Sequence, residues 1–219
     1  MNFKLATGSA LAFLASFATA NLGTPPTYRA GYKITNANKI GLTKMTENFH
    51  VEFSLFVGGD ALGGCSDGGC SDGNAWRNIL HIGSNDYDRR PALFFEPGSL
   101  ALATAWNSND DWSSRSILTT AGTKSLEIGF TYQVSMMMLN NHFYFCVDDF
   151  CQDTTFSGTN YQEENVEIWA SAPRDFQAPN FYSNPDSENF GRIDNLMIRE
   201  VIEYGVLGAE LIQFMSQSN

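Results

Sequence analysis

The stretch between residues 129 and 151 constrains the fold more than any other, because apolar and polar residues alternate on both sides of a two-residue turn. Asn140-Asn141 is the kind of pair that closes a tight β-hairpin. Tyr132 belongs to the same apolar set as the residues that face each other across this turn: Met138 with Phe143, Met136 with Phe145, and Val134 with Val147. The pattern predicts an antiparallel hairpin with one apolar face.

The four cysteines form two pairs of equal spacing, Cys65 with Cys70 and Cys146 with Cys151. A second tight turn at Asp148-Asp149 would set Cys146 opposite Cys151, at a site where side chains approach closely enough for a cross-strand disulfide. A disulfide from Cys65 to Cys70 would staple a glycine-rich loop. In an oxidising compartment, disulfides are favoured over the alternative, a four-thiolate zinc site.

Four further stretches show strand patterns. Residues 50–57 and 166–170 alternate as half-buried strands, and residues 191–201 do so with one interruption that predicts a bulge near Asn195. Residues 76–100 consist of an apolar run, a charged loop, a second apolar run and a Glu-Pro-Gly turn. This last stretch predicts the centre of an antiparallel sheet, and residues 99–106 continue it.

The first twenty residues are typical of a secretion signal: Lys4, a short apolar core and the small-x-small site Ala18-Thr19-Ala20 occur in the expected order. The alternative is a buried N-terminal helix. We expect the mature, extracellular chain to begin near Asn21, with an extended or irregular segment over 21–47 and one β domain over 48–203. Residues 204–219 have helical spacing and are expected to form a short tail that packs on the domain.

The formal charge of the chain is -11, and it becomes -12 once Lys4 is removed with the signal. Such acidity argues against nucleic acid or anionic lipid as a partner and suits calcium or a neutral glycan, although it also simply keeps a secreted protein soluble. Asp60, Asp67 and Asp72 lie in the glycine-rich loop and are weak candidates for calcium ligands. A solvated turn is the better explanation of these residues.

Residues 107–114 are polar and predict a loop that presents Asp110 and Trp112, beside Trp106 and Asn107. An aromatic ring next to amides and carboxylates suits a sugar, because the ring stacks on C–H groups while the polar atoms bind hydroxyls. Both tryptophans also suit the core, and the sequence leaves that choice open.

Motifs of catalysis are not found in the sequence. It has no Gly-x-Ser-x-Gly elbow, and His50, His81 and His142 lack metal-ligand spacing. A polysaccharide hydrolase would be expected to have two carboxylates at alternating positions of one strand, so that both face the same cleft. The nearest candidates do not have this spacing: Glu163, Glu164 and Glu167.

Four segments resemble, in the same order, the concanavalin A-like domains (laminin G and galectin-like) of extracellular animal proteins. They are 76–81 (WRNILH), 88–99 (DRRPALFFEPGS), 166–173 (VEIWASAP) and 191–196 (GRIDNL). The resemblance implies an all-β, two-sheet antiparallel jelly-roll sandwich that binds glycans or proteins, in some members with calcium at the rim. His81 and Arg89 match the family pattern and are ligand candidates, with a core role as the alternative. The galectin motif after His81 is missing, so galactoside specificity is not implied.

We therefore expect a secreted, non-catalytic module that binds carbohydrate or extracellular matrix. Its candidate contacts are His81, Arg89, Trp106, Asn107, Asp110 and Trp112. One alternative is a structural or adhesive coat component, which would expose apolar patches and self-associate. The other is a polysaccharide-degrading enzyme on the same fold.

Overall fold

A computed structural model describes residues 27–35, 38–59, 61, 76–85, 88–108, 111–120, 124–155, 162–171, 181–182 and 191–201 of the chain, without the side chains of 108, 111–117 and 181–182. The described residues form two seven-stranded sheets. The strands are β1 (Thr27–Tyr28), β2 (Tyr32–Lys33), β3 (Asn38–Met45), β4 (Phe49–Val57), β5 (Trp76–Ile82), β6 (Ala92–Phe95), β7 (Leu102–Ser108), β8 (Asp111–Thr119), β9 (Thr131–Leu139), β10 (His142–Val147), β11 (Phe150–Thr155), β12 (Glu163–Ala170), β13 (Phe181–Tyr182) and β14 (Gly191–Glu200).

The first sheet has the order β1-β14-β4-β9-β10-β11, and β2 also pairs with β14. Its β9–β10 hairpin has the predicted register, with Met138 opposite Phe143 and Val134 opposite Val147. Asn140 and Asn141 both take positive φ angles (49° and 63°), as the tight turn between right-twisted strands requires.

The next hairpin is also confirmed. Cys146 pairs with Cys151 in the β10–β11 ladder and is joined to it by a disulfide. The bulge in β14 falls where the sequence predicted it, between Asp194 and Met197, with Asn195 in the left-handed region at φ 55°.

The second sheet has the order β3-β12-β5-β6-β7-β8, so β5 and β6 occupy its centre as predicted. All of its pairs are antiparallel except the one between the two-residue strand β13 and the start of β5. The loop from β5 to β6 contains a cis peptide bond between Arg90 and Pro91. The core lies between the two sheets and draws on both, with the Trp106 ring of β7 stacked on Phe143 of β10 at a centroid distance of 3.8 Å.

Two sequence interpretations differ from the structure. Residues 107–108 and 111–114 lie on strands and not in a loop, because β7 extends to Ser108 and β8 begins at Asp111. The segment 21–47 contributes β1, β2 and the eight-residue strand β3 to the sheets. Strands β3 and β8 are the two edges of the second sheet. An edge strand has a ladder on one side only and tolerates polar residues, so its alternation is weaker than that of a central strand.

Several predictions lie outside the described residues: the secretion signal, the Cys65–Cys70 disulfide, the candidate calcium ligands Asp60, Asp67 and Asp72, and the helical tail. They remain predictions.

Candidate functional site

A solvent-open depression of about 280 Å³ lies at one end of the sandwich, where both sheets contribute residues. Its walls come from the corner between β3 and β4, from the loop between β5 and β6, and from the end of β7. The lining residues are Met45, Thr46, Phe49, Arg89, Arg90, Trp106 and Asn107. The depression therefore combines an apolar floor with amide, hydroxyl and guanidinium groups, and brings together three of the candidates from the sequence.

The loop that carries the two arginines is held from below by His81. Its Nε2–H donates to the main-chain oxygens of Asn85 at 3.0 Å and Asp88 at 2.9 Å, and because both partners are carbonyl groups this nitrogen must carry the proton. The main chain closes the same loop, since the Arg90 N–H donates to the Ile82 oxygen at 2.8 Å. These hydrogen bonds hold Asn85, Asp88 and Arg90 in place, and so set the positions of the two arginines.

The two arginines have different surroundings. Arg89 is 2% exposed, and its guanidinium lies 5.7 Å from the centre of the Phe94 ring. Arg90 forms ion pairs with Asp88 of its own loop and with Glu163 at the start of β12. Asn107 is tied to this loop, because its N–H donates to the Arg89 oxygen at 3.0 Å. The two guanidinium charges are therefore accompanied by two carboxylates, Asp88 and Glu163, at this end of the sandwich.

The predicted contact residues differ in how they lie relative to the depression. Arg89 and Asn107 line the depression, but they are only 2% and 6% exposed, so their role as ligand contacts stays a prediction. Trp106 borders it but is 1% exposed, so the core alternative describes it better. His81 is fully buried and supports the loop, so it offers no surface to a ligand.

The remaining two candidates are not placed by the structure. Asp110 and the side chain of Trp112 lie outside the described part of the chain, although the main chain places Trp112 on β8. Sequence analysis missed the β3–β4 corner, Met45 to Phe49, because that stretch has no motif and was expected to be extended.

Burial changes the titration of His81. It lowers the pKa of His81 from 6.5 to about 4, and the nearby positive charge of Arg89 acts in the same direction. The ring is therefore neutral at physiological pH, as its donor role toward the two carbonyls permits.

A second polar cluster lies on the outer face of the first sheet, and sequence analysis did not identify it. The His50 Nε2 lies 2.8 Å from the Ser135 Oγ, and its Nδ1 lies 3.0 Å from Nε and 2.7 Å from Nη2 of Arg199. Arg199 also pairs with Glu52 at 3.2 Å. Burial, and then the charge of Arg199, lowers the pKa of His50 to about 3. The only signal in the sequence is that His50 and Glu52 fall on the polar side of β4.

This cluster resembles a nucleophile and base but has the wrong proton arrangement. Arg199 can only donate, so Nδ1 of His50 must accept, and the neutral ring then carries its proton on Nε2. That nitrogen donates to Ser135 and has no lone pair to receive the serine proton. A catalytic serine requires the opposite arrangement, with a carboxylate at Nδ1.

No group of three or more His, Cys, Asp or Glu side chains within the described ranges is placed to hold a metal ion. Calcium stays a prediction, since its candidate ligands lie outside those ranges. Among the residues that the structure describes, no helix is long and apolar enough to cross a membrane.

No protein-family model matches the sequence, and no curated protein matches it with significance. Among solved structures, the chain is similar to a point mutant of HCR/D (TM-score 0.50, 9% identity, covering 78% of this chain and 37% of that one). It is also similar to the ligand binding domain of botulinum neurotoxin serotype D in complex with N-acetylneuraminic acid (0.49, 8%, 78% and 37%). A third is the heptameric SAP-like pentraxin from Limulus polyphemus (0.48, 7%, 80% and 78%).

The chain thus spans little more than a third of the length of the first two structures. At these identities the likeness establishes the fold alone. Together with the two packed sheets it identifies the fold as the concanavalin A-like jelly-roll sandwich that the sequence resemblance implied.

Proposed function

We propose that the chain is a secreted, non-catalytic module that binds carbohydrate through the depression at the end of the sandwich. The observation that carries this proposal is the meeting of polar groups from Arg90, Asn107 and Thr46 over an apolar floor. Sugar sites commonly have this composition, in which a few fixed polar groups bind hydroxyls and apolar surface receives the C–H groups. The bound sialic acid of the neurotoxin domain belongs to that protein, and is a reason to include acidic sugars in a screen.

The geometry of the depression suits a small part of a glycan. The depression is shallow and does not enclose a ligand, because its empty space of about 280 Å³ includes open solvent. A terminal sugar would rest on it with much of its surface still in water. The guanidinium of Arg90 favours a sugar that carries a carboxylate or sulfate, because arginine binds such groups through paired hydrogen bonds.

The absence of catalysis is part of the proposal. It is supported by the His50–Ser135 pair, whose proton arrangement cannot activate the serine. The polysaccharide-degrading alternative would need carboxylates or a Tyr/His pair in a cleft, and the depression is lined by neither among the described residues.

The test is a glycan screen on the purified mature chain, with calcium and again with chelator, followed by an affinity measurement on any retained sugar. Arg90→Ala should weaken binding at least about tenfold, because a charge-assisted hydrogen bond contributes roughly 1.5–3 kcal/mol. Arg192→Ala is the matched control: Arg192 also pairs with a neighbouring carboxylate, Asp194, but lies on β14, outside the depression. Equal affinity of the Arg90 variant and the parent would remove the depression from the site.

One observation favours the structural or adhesive alternative. Ile128 and Phe130, on the two sides of the turn before β9, are 42% and 57% exposed. Two apolar side chains at one turn could mediate contact between copies. Sedimentation velocity at rising concentration decides between the two proposals: a monomer that binds sugar supports the module, whereas association abolished by Phe130→Ser supports the coat component.

A further inference from the structure

The outer face of the first sheet has an apolar patch that is covered, although outer faces of a sandwich normally meet water. The patch consists of Met137 and Leu139 on β9 and Tyr144 on β10, which are 8%, 3% and 5% exposed. Their neighbours in sequence, Met136 and Met138, point the other way, into the core. The side chains of the patch stand on the solvent side of the sheet and are shielded there.

The chain itself leads onto this patch. Strand β14 ends at Glu200, and the next residue, Val201, packs its side chain against the cluster of Met137, Leu139 and Tyr144. The Val201 N–H still donates to the Asn48 oxygen at 3.0 Å, beside the start of β4. The eighteen residues that follow, 202–219, therefore start at the patch.

The sequence of those eighteen residues suits an apolar surface beneath it. At 3.6 residues per turn, six apolar residues fall on one arc: Tyr204, Leu207, Leu211, Ile212, Phe214 and Met215. Glu210, Gln213 and Gln217 fall on the opposite arc, with Val206 as the one large apolar residue among them. A helix over 204–215 would be about 18 Å long. Four strand spacings measure about 19 Å, so such a helix would cross from β14 to β11.

We propose that residues 202–219 form an amphipathic helix that lies across the outer face of the first sheet and covers Met137, Leu139 and Tyr144. The segment contains Gly205 and Gly208, and a helix this short is unstable alone in water, so it forms only when it docks.

The test uses the oxidation of methionine by dilute peroxide, read residue by residue by mass spectrometry. Met137 reports on the patch, whereas Met136 and Met138 report on the core, so three consecutive residues separate undocking from unfolding. The double variant Leu207→Asp/Leu211→Asp should raise the oxidation rate of Met137 at least about tenfold and leave the other two unchanged, since local opening leaves the core protected. Gln213→Asp, on the polar arc, is the matched control and should behave as the parent.

Three outcomes would overturn the proposal. The first is that Met137 stays protected from oxidation both in the double variant and in a chain that ends at Val201. The second is that Met137 of the parent is oxidised as fast as a free methionine. The third is that the protection of Met137 rises with protein concentration, which would show that a second copy covers the patch. If the double variant unfolds, all three methionines react. Leu211→Ala then decides the matter through the ratio of Met137 to Met136 oxidation in a folded chain.

Discussion

Acidification should destabilise this protein strongly, because two histidines are buried in neutral form. The pKa of His50 is lowered to about 3 and that of His81 to about 4, in both cases mainly by burial, with Arg199 and Arg89 acting in the same direction. Each native pKa lies below the unfolded value of 6.5, so the unfolded chain binds protons first as the pH falls. The stability that each ring contributes is present above about pH 6.5 and is lost as the pH falls toward its native pKa.

The size of the effect follows from the same values. At pH 4.5 the unfolded histidine is two pH units below its pKa while neither native ring is mostly protonated, so each ring lowers the free energy of unfolding by about 2.5 kcal/mol relative to pH 7. The two rings together account for about 5 kcal/mol, a large part of the stability of an ordinary domain.

Urea unfolding at pH 7 and pH 4.5 measures this loss directly. His50→Gln keeps a donor for Ser135 and an acceptor for Arg199 but cannot titrate, so the drop between the two pH values should shrink by about 2.5 kcal/mol. His142→Gln, at a partly exposed position on β10, should retain the full drop. If His50→Gln loses as much stability as the parent on acidification, the reasoning about buried neutral histidine is wrong.

Three further predictions concern stability, all measured by urea unfolding at pH 7. Trp106→Ala removes the ring stacked on Phe143 and should cost about 3–5 kcal/mol, whereas a cost below about 1 kcal/mol would contradict a core role. Asn141→Ala places an alanine at φ 63° and should cost about 1 kcal/mol, while Asn141→Gly should not. Replacing Cys146 and Cys151 together by serine opens a short loop and should cost about 2 kcal/mol, and no change in midpoint would show that the hairpin does not need its disulfide.

The β9–β11 region could be predicted from sequence because every signal in it is local. The turns at Asn140-Asn141 and Asp148-Asp149 fix the register, and the register fixes both the apolar face and the Cys146–Cys151 pair. The bulge at Asn195 was predictable for the same reason, since one missed alternation within a single strand marks it. Each of these features, the two turns, the hairpin register, the disulfide and the bulge, depends on residues that lie close together in the sequence.

The edge strands and the site could not be predicted in this way. Strand β3 becomes a strand because β12, more than 120 residues later, supplies its ladder, and its own alternation is weak. The depression joins the β3–β4 corner to the loop before β6 and to Asn107, and their distance in sequence gives no sign that they meet. The role of His81 likewise depends on main-chain carbonyl groups of the loop, and a sequence motif does not show where main-chain carbonyl groups lie.

The distribution of polar groups over the sandwich gives a reason for the location of the proposed site. On the outer face of the first sheet, Arg199 donates a hydrogen bond to His50, so the hydrogen-bonding groups of the two side chains are used within the protein. The chain continues onto the same face at Val201. At the end of the sandwich, by contrast, the Arg90 side chain, 11% exposed, borders an open depression, and its partner Glu163 is half exposed. A carboxylate or sulfate of a ligand could replace the exposed Glu163 carboxylate as the partner of Arg90. The end of the sandwich is therefore the better location for recognition than the covered face of the first sheet.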